Sequence, residues 1–188
     1  IWQRATSSSS TGVNSADRWY HAEGTFSRET SIVPTNFRYA IKCVTNSSNT
    51  PLLVQKIERP QVCGHIVGQN ITVSFYARSS NVNAITKLEL NDEGGSGGRP
   101  DGGAQTLSAA DTWERITYTF TAPFSSLTGS SVAVILTFAN SATVYITGVQ
   151  VEVGDTATPY EHRSYAEELE LCQRYYEQGN FSWRQSGS

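Results

Sequence analysis

"SVAVILTFAN", residues 131–140, has no polar face. In an extended chain Val132, Val134 and Leu136 fall on one side, and Ala133 and Ile135 on the other. A strand that is apolar on both sides must be covered on both, so this run reads as a central strand. Further β-branched and aromatic runs lie outward from it. They are "FRYAIKCVT" (37–45), "PLLVQKIE" (51–58), "NITVSFYARSS" (70–80), "AITKLELND" (84–92), "TWERITYTFTAP" (112–123) and "ATVYITGVQVEVG" (142–154). In "ITYTFTAP", Ile116, Tyr118 and Phe120 alternate strictly with Thr117, Thr119 and Thr121, as a half-buried strand requires. Short strands separated by Gly, Asn, Ser and Pro predict a two-sheet antiparallel sandwich.

Gly148 breaks the last of these runs. Val144 and Ile146 share a face before it, and Val149, Val151 and Val153 share one after it. A β-bulge at Gly148 would bring both sets to the same side. The glycine-dense "EGGSGGRPDGG" (93–103) has almost no apolar surface to bury and predicts a mobile solvent loop. It lies between strands and carries no Lys, which argues against a phosphate-cradling loop. "TSSSSTGVNSAD" (6–17) reads as a second polar loop.

The chain has 188 residues, enough for one domain with a sizeable core. Its formal net charge is -3 and no basic run occurs, so there is no electrostatic footprint for nucleic acid or for an anionic membrane. No apolar run is long enough for membrane insertion as a helix. Ile1 opens into polar sequence, with no signal-like stretch and no Met anywhere, so the chain reads as a processed product or a piece of something longer. Cys43, Cys63 and Cys172 have no metal-like spacing and read as reduced, buried thiols, with a Cys43–Cys63 bridge the alternative.

Alternation ends after Pro159. Ser164 and Glu167 fit a capping box and Gly179 a helix stop, which predicts a short C-terminal helix over 165–178. The expected division is a sandwich over 1–160 and a helix with tail over 161–188. Tyr165, Leu169, Cys172 and Tyr176 form one narrow apolar seam, a candidate assembly surface. So short a helix must dock on its own sandwich or on other copies of the chain.

Side chains that could carry chemistry are sparse. His21, His65 and His162 lack metal-site spacing and read as surface or loop histidines. Glu167, Glu168 and Glu170 lie together on one helix rather than across a cleft, which argues against a glycosidase pair. No nucleophile elbow occurs, and the chain is expected to be no enzyme. The first and last strands of such sandwiches often meet. Arg4, Asp17, Arg18, Gln150 and Glu152 are therefore expected to form a polar network tying the termini together. The same oxygens are alternatively a structural calcium site, the one cofactor the composition leaves open. Trp19 and Trp113 read as core or rim packing. Arg99 and Asp101 in the glycine insert, with Trp183, are the candidate sugar contacts.

Two stretches carry a resemblance. Val149-Gln150-Val151-Glu152-Val153-Gly154, then Ala157-Thr158-Pro159-Tyr160-Glu161, then Leu171-Cys172-Gln173-Arg174-Tyr175-Tyr176 close the chain. Trp2-Gln3-Arg4 and Ala16-Asp17-Arg18-Trp19 open it. Together they resemble bacteriophage and prophage tail-fibre and virion-appendage domains that have a carbohydrate-binding-module-like jelly roll. The resemblance implies an all-β antiparallel sandwich of the jelly-roll, galactose-binding-like kind. It also implies a place on the virion surface after assembly in the bacterial cytoplasm. It identifies no ligand; the partners expected in that setting are other virion proteins and further copies in a homo-oligomer (a trimer), with host-surface glycan as the candidate ligand. It brings no catalytic residues. A capsid decoration protein and a carbohydrate-binding module of a secreted polysaccharide-degrading enzyme are the rival readings.

Overall fold

The computed structural model describes residues 7–8, 13–14, 19–47, 50–58, 66–162, 164, 166–167 and 169–170. Their strands, in chain order, are β1 (Ser7–Ser8), β2 (Val13–Asn14), β3 (Trp19–Ala22), β4 (Thr25–Glu29), β5 (Ala40–Val44), β6 (Leu52–Glu58), β7 (Ile71–Ser79), β8 (Ile85–Asp92), β9 (Glu114–Phe120), β10 (Ser131–Phe138) and β11 (Thr143–Val153). A six-stranded sheet has the order β1-β4-β5-β11-β7-β9, and a five-stranded sheet the order β2-β3-β6-β10-β8. Neighbours pair antiparallel throughout. The fold is the predicted two-sheet sandwich.

Every predicted strand forms, with its ends trimmed. The stretch 131–140 supplies β10, which lies between β6 and β8 and is buried along its whole length. Val132, Val134, Leu136 and Phe138 face the inter-sheet core, where they meet Phe26, Phe75, Leu53, Leu88 and Leu90. On the opposite side Ala133 and Ile135 join Val54 in a smaller cluster, flanked by Tyr20 and Leu52. The double-sided apolar pattern of this strand therefore records two separate burials.

Three departures from the sequence reading have physical causes. The polar stretch 6–17 carries the short strands β1 and β2. The segment 19–29 supplies β3 and β4, which belong to different sheets. The chain crosses between the sheets at Glu23 and Gly24, both at positive φ (57° and 139°). A side chain at Gly24 would lie 2.8 Å from the Val44 carbonyl, so the corner requires glycine. The glycine insert is not a mobile loop. It runs back along β8, exchanging bonds between Leu88 and both Gly103 and Gly102, from Leu90 N to the Pro100 carbonyl, and from Asp92 N to the Gly98 carbonyl. Glycine here permits close backbone approach: a Cβ on Gly102 would sit 3.0 Å from Tyr118 and Phe120, and one on Gly97 would sit 2.6 Å from the Ser126 carbonyl. Buried Asp92 accepts from the N–H groups of Gly97, Thr128 and Gly129, joining the insert to the loop before β10.

Cys43 is a free, fully buried thiol, and burial raises its pKa well above the ordinary value. Cys63 and Cys172 lie outside the described residues. So does most of the predicted C-terminal helix. The capping box does form: Glu167 N donates to Ser164 Oγ, and Ser164 N to Glu167 Oε2. Residues 166, 167, 169 and 170 have helical backbone.

His21 corrects the surface reading of the histidines. It is fully buried beside the sheet-crossing corner and stacked on Phe26 at 4.3 Å. Neither ring nitrogen finds a hydrogen-bond partner among the described residues. Burial lowers its pKa from the ordinary 6.5, because a charged imidazolium would be desolvated without compensation. The unfolded chain therefore takes up a proton below about pH 6.5 that the folded chain refuses. Stability is unaffected by this group above that pH and falls below it, by at most about 1.4 kcal/mol per pH unit. Thermal melts of wild type and His21→Phe between pH 4.5 and 8 should converge at high pH and separate in acid, with the variant losing less. Parallel curves would show that His21 takes up its proton as readily in the fold as in the unfolded chain.

Candidate functional site

The outer face of the six-stranded sheet is a grid fixed by strand register. Across one row, Ser27 of β4 faces Lys42 of β5, Lys42 faces Tyr145 of β11, and Tyr145 faces Arg78 of β7. In the next row Thr147, Tyr76 and Arg115 align across β11, β7 and β9. Below them come Gln150, Ser74 and Thr117, then Glu152, Thr72 and Thr119.

The bulge expected at Gly148 makes the lower rows possible. Gly148 and Val149 together oppose the single residue between Tyr76 and Ser74, and Gly148 has φ +58°. Val149 and Val151 thereby pack on the same core as Val144 and Ile146, while Gln150 and Glu152 join the outer face. The glycine also leaves space above itself. A Cβ there would be 2.8 Å from the ring of Phe37, which lies 5.1 Å from Tyr76.

The segment after β11 folds over these lower rows. Glu152 accepts from the Thr158 hydroxyl at 2.6 Å and the Thr158 N–H at 3.1 Å. Gln150 donates to the Thr158 hydroxyl and accepts from Glu161 N. Arg115 donates to the Thr158 carbonyl and to Ser74 Oγ. Tyr160 and His162 then pack on Phe37, with centroids 5.1 and 5.0 Å away. Partial burial pushes the Glu152 carboxyl up, but hydrogen bonds from Thr158 and Gln150, with the Arg115 charge, hold it below its usual range.

The upper rows remain outside this clasp. Tyr145 is 7% exposed beneath Lys42 and Arg78, whose charged groups stand 5.9 and 5.6 Å from its ring centroid. Half-buried Trp113 meets the edge of Tyr145 at 6.4 Å. Arg78 is paired with Asp111, through a 3.2 Å side-chain contact and a bond to its carbonyl. Trp113 Nε1 and Arg115 Nε are buried without a partner among the described residues.

The residues singled out from the sequence distribute as follows. Arg99 and Asp101 lie on the other sheet's side, where Arg99 pairs with buried Glu89, and Lys87 with both Glu89 and Asp101. Gln150 and Glu152 grip Thr158, while Arg4, Asp17 and Arg18 lie outside the described residues. Trp183, Tyr165, Cys172 and Tyr176 lie outside them too, and Leu169 is half-buried. Trp19 packs at the core margin, as expected, and Trp113 at the outer face. Among the described residues no three His, Cys, Asp or Glu side chains converge as a metal site, and no helix is long and apolar enough to cross a membrane. The Tyr145 row was missed because its members come from four strands, and only pairing register brings them together.

No protein-family model matches the sequence, and no curated protein does. Solved structures do match. The C-terminal family 22 carbohydrate binding module of Clostridium thermocellum Xyn10B is similar over 79% of this chain and 93% of its own, with a TM-score of 0.53 and 11% identity. The N-terminal CBM22-1-GH10 modules of the same xylanase, complexed with xylohexaose, give 0.53 and 11% over 78% of this chain and 28% of that one. The enzymatically active domain of bacteriophage CBA120 tailspike protein 4 gives 0.49 and 13% over 72% of this chain and 19% of that one. The shared fold is the carbohydrate-binding-module jelly roll.

The clasp makes a testable claim about local stability. Glu152→Ala should speed amide hydrogen exchange at Thr158 and Glu161 by roughly tenfold, the worth of about one net hydrogen bond. β10 should keep its protection. Because the Glu152 pKa is depressed, the wild-type clasp should hold above about pH 4.5 and loosen as pH falls through the folded value. Unchanged exchange in the variant would show that the aromatic contacts alone hold the segment.

Proposed function

We propose that this chain is a non-catalytic, saccharide-binding module of a bacteriophage virion. It would be part of a tail fibre or head appendage at the virion surface and serve host attachment. The observation that supports binding is the Lys42–Tyr145–Arg78 row with Trp113 beside it. Half-buried Trp113 offers aromatic surface beside charged groups held over the buried Tyr145 ring, the combination that sugar rings require. Nearby carboxylates are engaged rather than poised for proton transfer: Glu152 with Thr158, Asp111 with Arg78, and Glu114 with Ser108. The virion setting rests on the sequence resemblance at both ends of the chain. A binding module of a secreted polysaccharide-degrading enzyme is the second reading, favoured by the near-complete overlap with an isolated module.

Binding to bacterial surface polysaccharides, followed by affinity electrophoresis, should weaken roughly thirtyfold in Trp113→Ala, as expected for a central aromatic contact. Lys56→Ala, on the opposite sheet, should bind as wild type does. If Trp113→Ala binds normally, this face is not the site; if no polysaccharide binds, the capsid-decoration reading replaces this one.

Assembly is proposed to run through the C-terminal seam, as a homotrimer. Burying a leucine contributes roughly 1.5–3 kcal/mol, repeated in each copy. Leu169→Asp should therefore reduce the mass seen by light scattering to that of a monomer, with the sandwich's circular dichroism unchanged. A wild type that is monomeric at high concentration would refute the trimer.

A further inference from the structure

We infer that the saccharide held by this face is an acidic one, its carboxylate seated against Lys42 beside the Tyr145 ring. This rests on the proposal that the face takes a saccharide. The clasp covers the lower rows of the grid, so a ligand must use the upper ones. There the charged groups are not equivalent. Arg78 is committed to Asp111, and Arg115 to Ser74 and the Thr158 carbonyl. Lys42 is half-buried, lies over Tyr145, and has no ion-pair partner among the described residues.

Glu29, two positions along β4 from the residue facing Lys42, forms no ion pair with it. Glu29 spends one oxygen on the N–H groups of Thr30, Ser31 and Ile32, at 2.8, 2.7 and 3.1 Å. Its pKa is lowered chiefly by the Ser31 bond, with the Lys42 charge a smaller contribution. Among the described residues the donors left unspent on this face are the Lys42 ammonium and, beneath the surface, Trp113 Nε1 and Arg115 Nε. A cation resting on a ring and unpaired is satisfied by an anion, and Trp113 beside it offers contact for a sugar ring. The chain as a whole carries a formal charge of -3, so general attraction does not draw a polyanion. Recognition must come from this local contact.

The test is calorimetric titration of the whole chain with oligogalacturonate, alginate and hyaluronan oligosaccharides, each beside its carboxyl-reduced neutral form. At least one acidic member should bind about tenfold or more tightly than its reduced form, and Lys42→Gln should abolish that preference. Lys42→Arg should retain it, and melting temperatures should confirm that both variants fold. Poly-glutamate should bind weakly. If reduced forms bind as well as acidic ones and Lys42→Gln changes nothing, the acidic class is wrong while the saccharide face stands. Equal binding of poly-glutamate would reduce the site to charge alone. Failure of every oligosaccharide, acidic and neutral, would overturn both readings.

Discussion

Between Thr147 and Gln150 the last strand carries one residue more than the strand beside it, and Gly148 absorbs the excess at φ +58°. The side-chain period of a strand is two, so an odd insertion exchanges its faces. Without the bulge Val149 and Val151 would turn to solvent, while Gln150 and Glu152 would enter the core. With it the valines seal the sandwich, and the two polar side chains stand where Thr158 can reach them. The same glycine, lacking a Cβ, leaves the seat that Phe37 fills. One backbone irregularity thus sets the core register, the clasp and the aromatic cluster over it.

The second sheet solves a different problem with the same residue type. β8 ends its sheet and would present an unpaired edge to other chains. The insert 93–103 covers that edge through backbone bonds to Leu88, Leu90 and Asp92, and its salt links to Glu89 and Lys87 fix it from outside. Low hydrophobicity suggested mobility because it counts only side-chain burial. The insert is held by backbone pairing and by Asp92, to which composition is blind.

What was legible in the sequence was whatever depends on neighbours along the chain. The alternation of 116–121, the double-sided 131–138, the frame change at Gly148 and the Ser164–Glu167 box are all local signals, and each appears as read. β3 and β4 escaped because four or five residues interrupted by Glu23-Gly24 are too few to show a period. His21 escaped because its burial depends on Phe26 and on a crossing between sheets. The proposed binding face escaped for the same reason: Lys42, Arg78, Trp113 and Tyr145 are distant in sequence and meet only across β5, β7, β11 and the residue before β9.

The segment that carries the family resemblance has a mechanical explanation. Gln150, Glu152 and Thr158, within Val149–Gly154 and Ala157–Glu161, bond to one another, and Tyr160 rests on Phe37. These residues close the sandwich behind its last strand, and none is left with an unspent charge. A motif that acts as a clasp is constrained by the fold and can accompany any ligand the rest of the surface takes. If this face takes the proposed saccharide, ligand choice resides in positions the clasp leaves uncovered. Those are the row through Tyr145, where β5 supplies Lys42, a cation with no ion-pair partner among the described residues.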